Sequence, residues 1–289
     1  MAFLIDKDTR VIVQGITGNQ GRFHTGQMLE FGTNIVAGVS PNKGGGEIEG
    51  VPVYDTVEAA VLKEEANASI IFIPAPLAKN GILEAVNAGI KLIVVITEGI
   101  PLHDALEAIS YARLKGAVVV GPNTFGVISP GESKLGIMPH RYYVKGPVGI
   151  AARSGTLSYE IVSNLKDAGM GISTAVGLGG DRVAGIDFVD VIKRMEGDSE
   201  TELIVLIGEI GGGAEEEAAE YIKHHVTKPV LAYLAGRSAP PGKRMGHAGA
   251  IIERGKGSWN GKVKALKDAG VEVAELPFQV PELARKLLR

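Results

Sequence analysis

A single histidine, His247, lies in a loop of glycine, proline and small residues that follows an apolar run of strand length. Glycines at 246 and 249 leave its ring unenclosed and allow backbone angles that other residues avoid, while Lys243 and Arg244 add positive charge. An imidazole in such a loop is suited to act as a nucleophile that accepts a phosphoryl group. The same features also fit a surface or packing histidine, so other residues must separate the two interpretations.

Glu209 ends a buried apolar run, residues 203–208, and is followed by Ile210 and three glycines. A carboxylate at this edge is a poor packing residue, but it can hold one imidazole nitrogen of His247 and leave the other free to attack phosphorus. The acidic run that follows, residues 214–220, is interpreted as the first turn and solvated face of a helix.

A second candidate anion site follows the apolar run that ends at Ala152. Arg153 precedes Ser154, Gly155 and Thr156, which begin a helical pattern. A helix start offers free N–H groups and the positive end of the helix dipole, which favours phosphate. Serine and threonine are also ordinary N-cap residues, so capping alone would explain them equally well.

The first half of the chain contains a glycine-rich turn between a strand and a helix, with glycines at 15, 18 and 21. Such a turn presents backbone N–H groups to a pyrophosphate, although turns and packing also select glycine. The next strand ends without the acid that NAD-binding domains use for the ribose, and Lys43 follows instead. A cation there suits a phosphorylated ribose, which points to NADP or coenzyme A.

Thr97 and Glu98 follow another strand, at the edge where ligands of parallel sheets bind. They are candidate ligand contacts, or else caps of the helix that begins near Leu102.

Continuous apolar runs alternate with helical patterns along the whole chain, which predicts an α/β protein with two open, doubly wound sheets. We expect a first domain over residues 1–125, a linker over 126–146 that is rich in Gly, Pro and Ser, and a second domain over 147–289. The strands are predicted at 10–14, 35–39, 69–73, 92–96, 117–120, 148–152, 172–176, 203–207, 229–234 and 271–273, and helices at 57–66, 105–115, 157–168, 215–224 and 262–269.

The composition excludes several classes of function. The chain has 289 residues, no cysteine and a net charge of −3, so disulfides, zinc–thiolate sites and cysteine nucleophiles are excluded and generic nucleic-acid binding is disfavoured. The first residues lack the pattern of a signal peptide, and the apolar runs are too short to span a membrane. We expect a cytoplasmic enzyme that binds neither nucleic acid nor membrane.

Several long motifs, in this order, resemble the alpha subunit of succinyl-CoA synthetase, the NDP-forming succinate–CoA ligase. The resemblance covers almost the whole chain and implies a Rossmann-like CoA-binding domain followed by a flavodoxin-like ligase domain. Its most specific motifs are Ile96-Thr-Glu-Gly-Ile-Pro101, Arg153-Ser-Gly-Thr156, Ile207-Gly-Glu-Ile-Gly-Gly212 and Gly242-Lys-Arg-Met-Gly-His-Ala-Gly-Ala-Ile251.

The resemblance also implies a role for each matching residue. His247 would be the phosphorylated histidine, positioned by Glu209, and Tyr159 would lie near the carboxylate substrate. The phosphohistidine would be held by Ser154, Gly155 and Thr156, and coenzyme A by Thr17, Gly18, Asn19, Gln20, Lys43, Ile96, Thr97 and Glu98.

By the same resemblance, the enzyme makes succinyl-CoA reversibly from succinate, coenzyme A and a nucleoside triphosphate, as in the tricarboxylic acid cycle. The nucleotide (ATP or GTP) and Mg²⁺ would bind mainly to a beta subunit with an ATP-grasp domain, in a heterodimer or a heterotetramer. The chain reads Thr124-Phe125 where family members often read Cys-Pro, so a ligase for another acid, such as malate, stays open. Two further functions stay open as well, a non-catalytic CoA-sensing module and an NADP oxidoreductase.

Overall fold

The structure is a computed structural model that describes residues 4–240, 242–252 and 257–288. Residue 241 of the histidine loop and the outermost residues of both predicted domains, 1–3 and 289, lie outside this description. Two seven-stranded sheets, each covered by helices, make up the molecule. In the first sheet the strands are β1 (Val11–Gln14), β2 (Ile35–Val39), β3 (Glu47–Ile48), β4 (Val51–Tyr54), β5 (Ala68–Ile71), β6 (Leu92–Val95) and β7 (Val118–Val120).

The first sheet has the strand order β3-β4-β2-β1-β5-β6-β7. Every pair is parallel except the short β3–β4 hairpin at one edge. The order from β4 to β7 is that of a Rossmann fold, and the chain changes direction across the sheet between β1 and β5. Ligands of such sheets bind at the carboxyl ends of the strands beside this point. The helices of this half are α1 (Asn19–Phe31), α2 (Val57–Glu64), α3 (Ala75–Asn87) and α4 (Leu102–Leu114).

The second sheet has the order β14-β13-β12-β10-β11-β8-β9. Its five parallel strands follow the flavodoxin-like order, with the switch between β10 and β12. The hairpin β8–β9 extends one edge in the antiparallel sense. The strands are β8 (Gly126–Ser129), β9 (Ser133–Gly136), β10 (Lys145–Ala152), β11 (Ile172–Gly177), β12 (Leu203–Glu209), β13 (Val230–Ala235) and β14 (Glu272–Ala274), and the helices are α5 (Gly155–Asp167), α6 (Phe188–Gly197), α7 (Ala214–His225), α8 (Trp259–Asp268) and α9 (Val280–Leu287).

The segment 126–146, expected as a linker, contains the hairpin β8–β9 and packs against both halves of the molecule. All residues of β8 and β9 are buried, and β9 lies against α1 of the first half. The hydroxyl of Thr33, which follows α1, donates to the carbonyl of Lys134 at 2.8 Å. Glycine and serine here form close strand contacts, since a Cβ on Gly126 would approach the Leu135 carbonyl to 2.0 Å. The predicted domain limits remain a prediction.

The predicted α/β class with two doubly wound sheets is confirmed, and each predicted strand overlaps an observed one. Helices α3, α6 and α9 and strands β3, β4, β8 and β9 were not predicted from the sequence. One core cluster joins residues of both sheets, for example Val13 and Val127, so the two halves share buried surface. No helix in the described ranges is long and apolar enough to cross a membrane.

Candidate active site

The candidate site forms where the central strands of the second sheet end. Glu209 is the last residue of β12, and Arg153 comes directly after β10. These strands are hydrogen-bonded neighbours, with Ala152 opposite Ile207. Because the carboxyl ends of parallel strands meet at one edge, the two side chains project into the same space.

The His247 imidazole lies against the Glu209 carboxylate, 2.8 Å from Nδ1 to Oε2. Only 8 % of the Glu209 side chain is exposed, compared with 29 % for His247. The hydrogen bond from Glu209 raises the pKa of His247 above its usual 6.5, and this effect opposes the lowering by burial. With Nδ1 occupied, the other ring nitrogen has no hydrogen-bond partner in the described part of the chain. This arrangement fixes the ring and leaves Nε2 available.

Arg153 approaches the second oxygen of the same carboxylate. Its Nε lies 3.5 Å from Glu209 Oε1, and its Nη2 donates to the Asp181 carbonyl at 3.2 Å. Asp181 is held in turn by the Asn123 side-chain amide, at 3.0 Å. The Glu209 carboxylate therefore lies between the imidazole of His247 and the guanidinium of Arg153.

Gly180 packs directly against the ring of His247. A Cβ on this residue would lie 2.5 Å from ring atoms Cγ and Cδ2, closer than side chains allow. The Gly249 N–H donates to the Gly180 carbonyl at 3.3 Å, which joins the histidine loop to the loop after β11. Sequence reasoning did not identify Gly180 or Asp181. The signal that was available is Gly-Gly-Asp shortly after a buried strand, at the edge where Glu209 also lies.

Ser154, Gly155 and Thr156 form the start of α5, as the sequence pattern predicts. Ser154 is the N-cap, but its side chain makes no capping hydrogen bond. Its hydroxyl lies 3.4 Å from that of Thr156. Capping therefore does not account for the serine hydroxyl, and the N–H groups of the first turn are open to an anion.

Tyr159 lies one turn further along α5 and faces the same space. Its ring packs edge-on against Phe125, with 5.9 Å between ring centroids. Burial raises its pKa to about 12, so the phenol stays protonated and can donate a hydrogen bond at neutral pH. Phe125 is one of the two residues that differ from the usual Cys-Pro, and the other, Thr124, donates its hydroxyl to the Gly177 carbonyl at 2.6 Å.

The glycine turn of the first sheet joins β1 to α1. Gly18 is the N-cap of α1 and makes no side-chain cap bond, so the N–H groups from Asn19 onward are available to an anion. A Cβ on Gly21 would lie 2.2 Å from the Gly15 carbonyl, so the turn requires glycine there. Thr17 shares a hydrogen bond of 2.9 Å with the Ser40 hydroxyl, which links the turn to the end of β2.

Lys43 lies in the exposed loop that follows β2. Its backbone N–H and that of Gly44 both donate to one oxygen of Asp55, at 2.9 Å. Asp55, directly after β4, therefore binds the backbone of this loop. Thr97, after β6, donates its hydroxyl to the Ile73 carbonyl at 2.6 Å.

A cleft of about 640 Å³ between the two halves connects these groups. The predicted residues that line it are Gln20, Ile96, Thr97, Glu98, Ser154, Gly155, Thr156, Tyr159 and His247. Thr17, Gly18, Asn19, Lys43 and Glu209 do not line it. The cleft therefore connects Gln20 and residues 96–98 of the first half to His247.

His24, on α1, also lines the cleft and was not identified from the sequence. Its ring stacks on Phe72 with 5.6 Å between centroids. Burial, together with the nearby Lys134, lowers its pKa to about 4, so this imidazole is neutral at pH 7. Half-buried neutral histidines carry no distinctive sequence signal, because their environment comes from other elements.

Two family models match the chain, the CoA binding domain over residues 6–99 and CoA-ligase over residues 152–276. A succinate–CoA ligase [ADP-forming] subunit alpha 2 from Archaeoglobus fulgidus is 56 % identical over 288 residues, covering 100 % of both chains. The corresponding subunit alpha of Aquifex aeolicus is 55 % identical and covers 100 % of this chain and 95 % of its own. The chain belongs to the succinate–CoA ligase alpha-subunit family. It is therefore a ligase chain with an N-terminal CoA-binding domain.

A solved structure supports the arrangement of the two halves. ATP citrate lyase from Methanosaeta concilii, in complex with (3S)-citryl-CoA, has a TM-score of 0.91 and 27 % identity. It covers 100 % of this chain, which spans 51 % of the citrate lyase chain. The relation of the two sheets across the cleft is therefore shared with an experimental structure.

Proposed function

We propose that this chain is the alpha subunit of an NDP-forming succinate–CoA ligase, which converts succinate, coenzyme A and a nucleoside triphosphate into succinyl-CoA, NDP and phosphate, reversibly. The observation that carries the proposal is the pair of His247 and Glu209. A buried carboxylate holds Nδ1 at 2.8 Å, and Nε2 is left free beside a cleft. The relatives whose names give this activity are more than half identical over the full chain.

The first step is attack by the Nε2 lone pair of His247 on the γ-phosphorus, with cleavage of the bond to NDP. Nδ1 keeps its proton in the hydrogen bond to Glu209, which stabilises the positive charge that develops on the ring. A substrate carboxylate oxygen then attacks the phosphorus, and the P–N bond breaks. Finally the coenzyme A sulfur attacks the acyl carbon, the bond from that carbon to the phosphate oxygen breaks, and the departing phosphate takes up the thiol proton.

The start of α5 would stabilise the transferred phosphoryl group. Ser154, Gly155 and Thr156 offer free backbone N–H groups and hydroxyls at a helix N-terminus, where negative charge is favoured. Tyr159, as a neutral phenol, would donate a hydrogen bond to the substrate carboxylate.

Coenzyme A would bind along the carboxyl edge of the first sheet. The loops that would contact it are the turn before α1, the loop that contains Lys43 and the loop after β6, beside the cleft. In this assignment Lys43 meets the ribose phosphate and the thiol end reaches His247 through the cleft. The assigned residues are Thr17, Gly18, Asn19, Gln20, Lys43, Ile96, Thr97 and Glu98.

The nucleotide and Mg²⁺ are assigned mainly to a partner beta subunit with an ATP-grasp domain. Within the described ranges, no group of three or more His, Asp or Glu side chains could hold a metal ion. Partner binding is supported by the subunit names of the relatives. The assembly would be a heterodimer or a heterotetramer. A cytoplasmic location is part of the proposal, and cell fractionation tests it.

The test is phosphorylation of the complex by ATP labelled on its γ-phosphate. His247→Ala, co-purified with the beta subunit, should take up no label. His224→Ala is the matched control, because His224 is an exposed histidine on α7 that pairs with Glu220, and it should label like the wild type. Label on the His247→Ala chain would refute the assignment.

An acid other than succinate is the second candidate. Phe125, in place of the usual proline, packs against Tyr159, and the similar citrate lyase structure contains (3S)-citryl-CoA. A screen of succinate, malate and citrate for CoA thioester formation separates the candidates. Activity with malate or citrate and none with succinate would replace the main proposal.

A further inference from the structure

The turn that follows Glu209, residues 209–213, is closed by an ion pair that no solvent reaches. Glu215, in the first turn of α7, and Lys262, on α8, both have 0 % of their side chains exposed. This corrects the expectation of a solvated acidic face for Glu215, whereas Glu217 and Glu220 of the same helix are exposed. Glu215 instead points into the protein, where its two oxygens accept hydrogen bonds from Lys262 and from the backbone of the turn.

The ion pair contacts the turn at Glu209 and at Gly211. Glu215 Oε1 accepts the backbone N–H of Glu209 at 3.1 Å. Lys262 Nζ donates to the Gly211 carbonyl at 2.6 Å and to Glu215 Oε2. The approach is tight, since a Cβ on Gly208 would lie 2.6 Å from Glu215 Oε1. The two charged side chains therefore fix the backbone on both sides of Ile210.

Stability alone does not explain a buried ion pair. Removing both charges from water is costly, and apolar residues of similar volume often stabilise a protein equally well. What an apolar pair cannot supply is an acceptor for the N–H of Glu209. The pairing of β12 with β10 ends at Ile207. On the β10 side, Glu209 therefore lies beyond the last paired residue of its strand.

We propose that Glu215 and Lys262 are positioning residues for phosphoryl transfer: they fix the backbone of Glu209, and Glu209 fixes the imidazole of His247. This inference rests on the proposed function. Glu215 supplies the acceptor oxygen. Lys262 holds Glu215 in place and binds the carbonyl two residues after Glu209. A shift of the Glu209 backbone moves its carboxylate away from Nδ1.

Two double variants isolate the acceptor oxygen. Glu215→Leu with Lys262→Met removes both charges and the oxygen, while keeping similar volumes. Glu215→Gln with Lys262→Met also removes both charges but keeps an amide oxygen for the N–H of Glu209. Leu266→Ala, on the same buried face of α8, is the control for loss of packing without contact to Glu209. Thermal unfolding confirms that each variant is folded.

The first readout is the pKa of His247, from NMR of the full chain with ¹⁵N-labelled histidine. In the leucine variant we expect the pKa of His247 to fall towards 6.5, the value of a free histidine. In the glutamine variant and in Leu266→Ala it should stay near the wild-type value. An unchanged pKa in the leucine variant, or an equal fall in both double variants, would overturn the inference.

The second readout is the rate of labelling of His247 in the complex with the beta subunit. The leucine variant should lose on the order of tenfold to a hundredfold in rate, as expected for a misplaced reacting group. The glutamine variant should recover most of this loss. Equal rates in the two double variants would contradict the inference.

The two readouts separate the inference from the proposed function. If the wild type takes up no label at His247, the proposed function fails, and the NMR measurement still decides whether Glu215 positions Glu209.

Discussion

Gly180→Ala places one methyl group directly against the His247 imidazole. The added Cβ would lie 2.5 Å from Cγ and Cδ2 and 3.0 Å from Nδ1. Ordinary van der Waals contact begins at 3.4 Å, so the methyl group overlaps the ring by about 0.9 Å. Either the backbone of residue 180 or the ring must move.

The backbone is the less mobile of the two. The Gly180 N–H donates to the Asn123 carbonyl at 3.2 Å, and its own carbonyl accepts the Gly249 N–H at 3.3 Å. The imidazole, in a partly exposed loop, therefore takes up the displacement. A shift of about 0.9 Å stretches the contact between Nδ1 and Glu209 Oε2 from 2.8 Å to at most about 3.7 Å, beyond hydrogen-bond length.

A misplacement of about 1 Å costs on the order of a hundredfold in rate, or about 2.7 kcal/mol in activation free energy. We therefore expect Gly180→Ala to label about a hundredfold more slowly from ATP in the complex with the beta subunit. Binding of coenzyme A to the first domain should not change. Stopped-time labelling and calorimetry with coenzyme A measure the two effects.

Gly197→Ala is the matched control. Gly197 ends α6, and a Cβ there meets no atom within 4 Å, so its labelling rate should equal that of the wild type. A folded Gly180→Ala protein that labels at the wild-type rate would refute the argument, because the ring would then tolerate the overlap without loss of the Glu209 contact.

Three further variants test other parts of the molecule. Glu209→Gln removes the anion that raises the pKa of His247, so the pH profile of labelling should shift to lower pH. By linkage, the stability that the Glu209–His247 pair gives to the fold is fully present below pH 6.5 and is lost as the pH rises through the raised pKa of His247. The free energy of urea unfolding of Glu209→Gln should lack this pH dependence. Lys43→Ala should weaken binding of coenzyme A by about 1 kcal/mol and leave dephospho-coenzyme A unaffected in calorimetry; equal loss for both ligands would contradict the assignment. Phe188 lies in the buried face of α6, and Phe188→Ala should lower the free energy of unfolding in urea by about 3–5 kcal/mol. His247 should still label in this variant at low temperature, and loss of labelling in the folded variant would contradict this expectation.

Most strands of both sheets were predictable because each of them is a continuous apolar run, which a parallel sheet buried on both faces requires. The short strands β3 and β4 are not such runs and were missed. Residues 35–39 match the observed β2, and the other predicted strands differ by a few residues at their ends. The hairpin β8–β9 was missed for the same reason. Its strands contain serine, lysine and glycine, and their burial depends on packing against β11 and α1, which no local pattern shows.

The candidate residues were predictable where function leaves a polar group beside an apolar strand or in a glycine-rich loop. His247, Glu209 and residues 154–156 stand out because packing alone does not select such residues there. Glu215 was misinterpreted, since an acidic first turn is normally solvated. Its burial depends on Lys262, which lies 47 residues later in the chain.

The sequence by itself determined the α/β class, the two sheets and the identity of the groups that carry the proposed chemistry, because these follow from apolar runs and from polar residues at strand ends. Only the tertiary structure decided that Nδ1 of His247 is the nitrogen held by Glu209, that Gly180 packs against the ring, and that a buried ion pair fixes the backbone of Glu209. Each of these is a contact between residues far apart in the chain, and such contacts depend on how strands and loops meet at one edge of the sheet.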